Sequence, residues 1–367
     1  MLRNQTSPSL RRLGIALVAI VGALAALLVL LGNPGNMGLC GACFVRDIAG
    51  SLRLHAGPSI FRPEVAGIVI GALVWSLASG RHVGRSGSNA VARFMLGVAM
   101  AIGALVFLGC PFRMLQRLGG GDMTAWLALP GFLAGVGIAR LFERRGYSIG
   151  KTHEVPFTIG LIGPLIVAIL LLVFAVGGVL AGPGPGVADS PSHANWLVAL
   201  AVGASAGALL SATGFCAISA GRQVFGGPRL MLLSAGVLIL AYALVLAIGG
   251  KFSLGFDGQP IAHNEWLWNT LGLALVGLCG ALCGGCPVRL VVLTGEGNGD
   301  AFVAVMGLLV GGALAHTLGL SAKPATALAA GGPAFAGKVA VSVGLVLAIA
   351  YAASMTGTFG RRGNARQ

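Results

Sequence analysis

Charge is what this sequence has least of. Only 9% of its 367 residues are charged, and the acidic side chains number 10. An average soluble domain carries roughly 25% charged residues, so a soluble globular reading is excluded. The carboxylates are also too dispersed to form a cation relay, although Asp47, Asp122, Glu296 and Asp300 lie near the motifs described below. No Gly-x4-Gly-Lys-Ser/Thr loop occurs and no stretch is left over for a soluble domain, which excludes direct ATP coupling within this chain. Lysine is nearly absent. Lys151, Lys251, Lys323 and Lys338 are the only four, so arginine supplies the rest of the 24 basic residues behind the net charge of +14. Those arginines cluster between apolar runs, where they read as topology signals and anion ligands rather than as a nucleic-acid surface.

What is present is apolar surface and glycine. Hydrophobic residues make up 56% of the chain and 61 glycines are spread through the apolar runs; the mean hydropathy is +0.91. Ten stretches, at 13–32, 64–80, 93–109, 124–142, 155–181, 194–213, 231–249, 266–283, 302–320 and 337–355, approach or reach the length of about 20 residues that crosses a hydrocarbon core. The first follows Arg3, Arg11 and Arg12 like a signal peptide. Its apolar run is longer than the roughly 7–15 residues of a signal h-region and has no Ala-x-Ala site behind it, so we expect a retained helix. With the N-terminus in the cytoplasm, ten crossings put Arg81, Arg85 and Arg93, then Arg140, Arg144, Arg145 and Lys151, and finally Arg361, Arg362 and Arg366 on the inner side, as the positive-inside rule asks. Arg46, Arg53, Arg62, Arg113 and Arg117 are left on the outer side.

The chain repeats itself. A shift of 176 residues lays Gly109-Cys110-Pro111 and Arg113 on Gly285-Cys286-Pro287 and Arg289, and lays "GLCGACFVRDIAG" on "GFCAISAGRQVFG", so that Cys40 meets Cys216 and Arg46 meets Arg222. Across those blocks 11 of 30 positions are identical, where roughly two or three are expected by chance. Arg140 falls on His316 in the same register. Five crossings per half is an odd number, so the second half is expected to sit inverted relative to the first, with Cys-bearing short segments from both halves meeting near the midplane. Proline at the start of a short helix would point free N–H groups and a positive dipole end at an anion there.

Cysteines in membrane helices are most often small apolar fillers. Cys279 and Cys283 fit that description, because their repeat mates are Gly103 and Phe107. Cys40, Cys110, Cys216 and Cys286 are different, since each recurs at the corresponding position of the other half. Arginine follows cysteine by three residues in Cys43–Arg46, Cys110–Arg113 and Cys286–Arg289, a spacing that shares a helix face, and Ser219–Arg222 completes the set. An arginine at membrane depth costs at least roughly 2.5–3.5 kcal/mol, so it is expected to serve a ligand or pathway, or else to cap loop carbonyls. Thiol beside guanidinium suits an anion that is also soft. "CGALCGGC" imitates an iron–sulfur spacing but ends a membrane helix. "CGAC" at Cys40–Cys43 imitates a redox pair without the surrounding βαβ pattern. His263 and His316 lack metal-ligand spacing, and a soft-metal permease would be lined by carboxylates or Met rather than by arginine.

"NPGNMGLCGACFVRDIAG", "FRPEVAGIVIGAL", "GALVFLGCPFRML", "GFDGQPIAHNEWLWN" and "GGCPVRLVVLTGEGNGD" together resemble the YedE-type selenium-transporter branch of the YeeE/YedE membrane family, whose better understood members take up thiosulfate. The resemblance spans nearly the whole chain. It implies an inner-membrane importer in which cysteines on short helices pass a sulfur oxyanion from one to the next; carried over, the relay falls on Cys40, Cys110 and Cys286, with Cys216 as repeat mate. One position departs from the pattern: Arg46-Asp47 in the first half faces Arg222-Gln223 in the second.

The expected protein is therefore an all-α polytopic membrane protein of about ten crossings, built from a repeat at 1–181, an external linker at 182–193 and an inverted repeat at 194–367. Its expected activity is uptake of a small selenium- or sulfur-containing anion into a bacterial cell, with both termini cytoplasmic. Cys40, Cys43, Cys110, Cys216, Cys286, Arg46, Arg113, Arg222 and Arg289 line the path. Neither enzymatic chemistry, cofactor, metal nor nucleic acid is expected. The partners are the anion, the lipid bilayer and a cytoplasmic sulfur or selenium carrier protein. The alternatives are a thiosulfate importer, and a membrane thiol oxidoreductase using Cys40 and Cys43.

Overall fold

The computed structural model describes residues 8–57, 60–177, 180 and 193–356. The expected linker lies outside these except for His193, as do Arg3 and the C-terminal arginines on which part of the orientation rests. Fifteen helices are present among the described residues. Ten are long: α1 (Pro8–Leu30), α3 (Pro63–Ala78), α4 (Ala90–Phe107), α6 (Met123–Arg144), α8 (Ile162–Val176), α9 (Trp196–Thr213), α11 (Leu230–Ile248), α12 (Trp266–Cys283), α14 (Gly299–Thr317) and α15 (Phe335–Met355). Each falls on one of the ten apolar stretches. Five are short: α2 (Ala42–Ser51), α5 (Pro111–Gly119), the single turn α7 (Phe157–Gly160), α10 (Ala217–Val224) and α13 (Pro287–Gly295). Among the described residues, eight helices are long and apolar enough to cross a membrane, with α3 and α8 as shorter apolar helices beside them. The protein is thus a multi-pass helical membrane protein. Among the described residues, strand is limited to two residue pairs, β1 (Arg85–Ser86) antiparallel to β2 (His153–Glu154).

Setting α7 aside, the order long, short, long, long, short, long, long occurs twice, starting at α1 and at α9. The most extensive packing joins α3 to α9, α1 to α11, α12 to α6 and α14 to α4. Every one of these pairs takes one helix from each half, and exchanging equivalent helices turns each pair into another.

Glycine makes the pairing possible. Lipid tails are as apolar as leucine, so helices in a bilayer associate by close van der Waals packing and favour small residues at their contacts. Gly67 and Gly71 on α3 face Gly203 and Gly207 on α9. A Cβ on any of the four would run into a backbone carbonyl oxygen of the other helix, that of Leu200, Ala204, Glu64 or Ile68. Backbone cannot yield as a flexible side chain can. Gly71→Val is therefore expected to destabilise the fold by about 1–3 kcal/mol through overpacking, read as a lower melting temperature in detergent. An unchanged melting temperature would mean that α3 and α9 do not pack this closely.

Candidate functional site

The site is built where four short helices begin. Cys110, Cys216 and Cys286 occupy the N-cap positions of α5, α10 and α13, and Cys40 stands immediately before Gly41, the N-cap of α2. Pro111 and Pro287 take the first helical position, where the missing N–H costs nothing and φ is already set. The preceding turns correspond as well: Leu108 closes α4 in the left-handed region at φ 61°, and its repeat mate Gly284 closes α12 at φ 92°.

These helix starts converge into two pairs of thiols. The Cys40 sulfur donates toward the Cys110 sulfur at 3.6 Å. In the second half the Cys286 backbone N–H donates to the Cys216 sulfur at 3.4 Å. Cys43 gives Cys40 its backbone N–H at 3.3 Å and its thiol also interacts with Cys40, so the Cys40 sulfur has Cys43 as a neighbour in sequence and Cys110, 70 residues away, as its partner across the fold. The two pairs adjoin each other. A Cβ on Gly41 would lie 2.5 Å from the Val288 nitrogen, and the Phe112 and Phe215 rings meet edge to face at 6.2 Å. All four cysteines are buried. Cys279 instead lines an apolar groove between α4, α12 and α15 with Leu275, Val343 and Gly344.

Two clefts flank the thiols. The larger, about 1150 Å³, is lined by Cys43, Arg46, Arg62, Arg113, His316 and Lys323 among others, with Asp47 its carboxylate. It includes Pro34 and Met37, just past the C-terminal end of α1. The smaller, about 320 Å³, is lined by Arg81, Arg85, Ser211, Gly214, Arg289 and Glu296 with neighbouring residues; Gly214 ends α9. The N-terminal end of α9 meets the C-terminal end of α1, where the Ala194 N–H donates to Asn33 Oδ1 at 3.0 Å. The clefts therefore lie at opposite ends of α9, an 18-residue helix about 27 Å long, close to the thickness of a hydrocarbon core. Cys43 opens onto the first cleft, and Gly214, two residues before Cys216, onto the second.

The predicted arginines are placed around this centre with unequal partners. Arg46 contacts His316 Nε2 at 2.7 Å and Asp47 at 2.6 Å. Arg113, fully buried, donates Nε–H to the Asn36 carbonyl at 3.0 Å, and its terminal nitrogens face the carbonyls of Leu108, Pro260 and Ile261. Its side chain is the carbonyl cap, and one carbonyl it holds belongs to the strained Leu108. Gly284 adopts the left-handed conformation without a Cβ penalty, and the matching Arg289 is turned elsewhere, to a two-point pair with Glu296 at 2.9 and 3.2 Å. Arg222 pairs with Glu143 and donates to the Ala281 carbonyl at 2.7 Å. The predicted register between Arg140 and His316 reappears as contact: His316 meets Arg46, and Arg140 donates to the Arg222 carbonyl at 2.6 Å.

The departure at Gln223 has a structural counterpart. Asp47 holds Arg62, the N-cap of α3, at 2.6 Å. Gln223 Oε1 accepts from the backbone of Met231 and Leu232 at 2.8 and 3.1 Å, in the first turn of α11. An ion pair in one half and an amide cap in the other each tie a short helix to the long helix that follows.

Several contributors escaped the sequence reading. Gln116 bonds both the N–H and the carbonyl of Leu39, fixing the residue before Cys40 against α5. Arg62 lies over the Phe44 ring at 4.6 Å. Their repeat mates are Val292 and Leu238, so the internal comparison could not find them. His55 stacks on His316 with centroids 4.7 Å apart. In the loop before α12, His263 sits with Nε2 2.8 Å from the Val106 carbonyl, and burial holds its pKa below the usual histidine value; its part is structural. Beside this geometry, no protein-family model matches the chain, and no curated protein does.

Proposed function

We propose that the protein carries a small selenium- or sulfur-containing anion across a bacterial inner membrane, between the two clefts and along the four thiols. The observation that supports this most is the meeting of Cys40, Cys110, Cys216 and Cys286 at short-helix starts between two arginine-bearing clefts at opposite ends of α9. Helix N-termini present free N–H groups and a positive dipole end, which favour an anion without a fixed counter-ion. Thiols are weak donors, so they hold a soft anion and also release it, as conduction requires. The repeated element order and the packing of eight of the ten long helices in pairs across the two halves support two five-crossing repeats of inverted orientation. In that orientation both termini are cytoplasmic, the larger cleft faces outward and the smaller one inward, toward a carrier protein that would receive the cargo.

The test is uptake of labelled thiosulfate, selenite and selenide into vesicles holding the purified protein, with accessibility tags at Arg85 and after Gly184. We expect saturable uptake of at least one anion, and tags that report opposite sides. No uptake of any of them would overturn the transport reading, and tags on one side would overturn the inversion. The oxidoreductase alternative requires disulfide exchange that depends on Cys43. Ser219 stands in the second half where the first has Cys43, so that pair occurs in one half only, which supports transport.

A further inference from the structure

The Cys40 and Cys110 sulfurs lie 3.6 Å apart, on chain segments 70 residues apart. A disulfide holds its sulfurs at about 2.05 Å, so closing the gap needs an approach of roughly 1.5 Å, within reach of a side-chain rotation and a small shift of one helix start. Two features make the pair reactive. Cys110 is the N-cap of α5, so its sulfur stands at the positive end of a nine-residue helix. Cys40 directs its S–H at that sulfur while its own sulfur accepts the Cys43 N–H, so the second thiol is already aimed at the first. Both are fully buried, yet Cys43, three residues from Cys40, lines the cleft of about 1150 Å³, which gives a small neutral oxidant a route in.

We propose that Cys40 and Cys110 form a modification site at which a hydroperoxide makes a disulfide that closes the pathway. The closing rests on the transport reading above; the disulfide itself does not. The Cys110 sulfur attacks one peroxide oxygen, the O–O bond breaks, and the other oxygen leaves as water with the thiol proton, giving a sulfenic acid. The Cys40 sulfur then attacks the Cys110 sulfur, the S–S bond forms, the S–O bond breaks, and a second water leaves with the Cys40 proton. In sum two thiols are oxidised by two electrons and one hydrogen peroxide is reduced to two waters. The product pins the start of α2 to the start of α5 and removes both donors from the first half of the path.

The experiment uses the full-length protein in lipid nanodiscs, titrated with hydrogen peroxide, blocked with N-ethylmaleimide and mapped by mass spectrometry. The expected result is a Cys40–Cys110 cross-linked peptide that dithiothreitol reverses, while Cys279 stays alkylated as a free thiol. In Cys40→Ser, dimedone should trap the sulfenic acid on Cys110. A cross-link to Cys43 or Cys286 instead, or oxidation elsewhere with this pair still reduced, overturns the site. A dimedone adduct on Cys40 in Cys110→Ser, with none on Cys110 in Cys40→Ser, overturns the order of attack. In vesicles, peroxide should lower thiosulfate uptake by about tenfold or more, with recovery on reduction; a cross-link that leaves uptake unchanged overturns the closing. Wild-type vesicles inactive before any peroxide would overturn the transport reading instead, and the cross-link would still be read from the peptides.

Discussion

Thiosulfate uptake is expected to fall about tenfold or more in Cys110→Ala and equally in Cys286→Ala, while Cys279→Ala keeps the wild-type rate. Hydrogen bonds to a charged group are worth about 1.5–3 kcal/mol, and a thiol, as a weak donor, belongs near the lower end. Each 1.4 kcal/mol is a factor of about ten in occupancy, which sets the scale of the loss. Cys110 and Cys286 are N-caps with a second thiol alongside, and each follows the close of a long helix by a left-handed residue and a glycine. Cys279 faces the groove lined by α4 and α15. Truncating it removes one sulfur from an apolar contact and leaves no polar group unpaired. Equal losses in all three variants at equal expression would show that the thiol pairs have no role beyond packing.

The long helices were legible because a bilayer imposes one rule on every crossing, and ten apolar stretches of suitable length answer it. The centre was legible for a different reason. The shift of 176 residues marks Cys110 with Cys286 and Cys40 with Cys216, and the chain brings together the residues so marked. What the sequence could not reveal are partners that only packing creates. Cys110 lies 70 residues from Cys40, yet its sulfur meets that of Cys40 at 3.6 Å. Gln116 has Val292 as its mate, so its amide clasp on Leu39 left no trace in the repeat. The Asp47-to-Gln223 change read as the loss of an acid, whereas both side chains hold the start of the next long helix. Correspondence of position therefore survived where correspondence of chemistry did not.

Arg113 and Arg289 show the same divergence with the larger consequence for function. They read as equivalent in sequence, but opposite outcomes are expected on mutation. Arg113→Gln should act on stability: it leaves buried carbonyls of Asn36 and Leu108 without donors, at about 1–3 kcal/mol for each group left unpaired. Leu108 also sits at φ 61°, a conformation costly for a residue with a branched side chain. Replacing it with glycine, as at Gly284, should restore part of the melting temperature lost in Arg113→Gln. Arg289→Gln should act on transport. Arg289 is partly exposed in the smaller cleft, and its fork is occupied by Glu296, a carboxylate that an incoming anion can replace without unmaking the fold. Arg289→Lys keeps the charge and loses the planar two-point geometry, so it should raise the half-saturating anion concentration, while Arg289→Gln removes nearly all uptake. Glu296→Gln removes the competitor and should lower the half-saturating concentration together with the maximal rate, since an anion no longer displaced from Arg289 leaves slowly. Concentration-dependent uptake measured beside melting temperature separates the two arginines. Full uptake by Arg289→Gln at normal stability would remove this arginine from the pathway, and a Glu296→Gln protein with unaltered saturation would show that the carboxylate does not compete with the cargo.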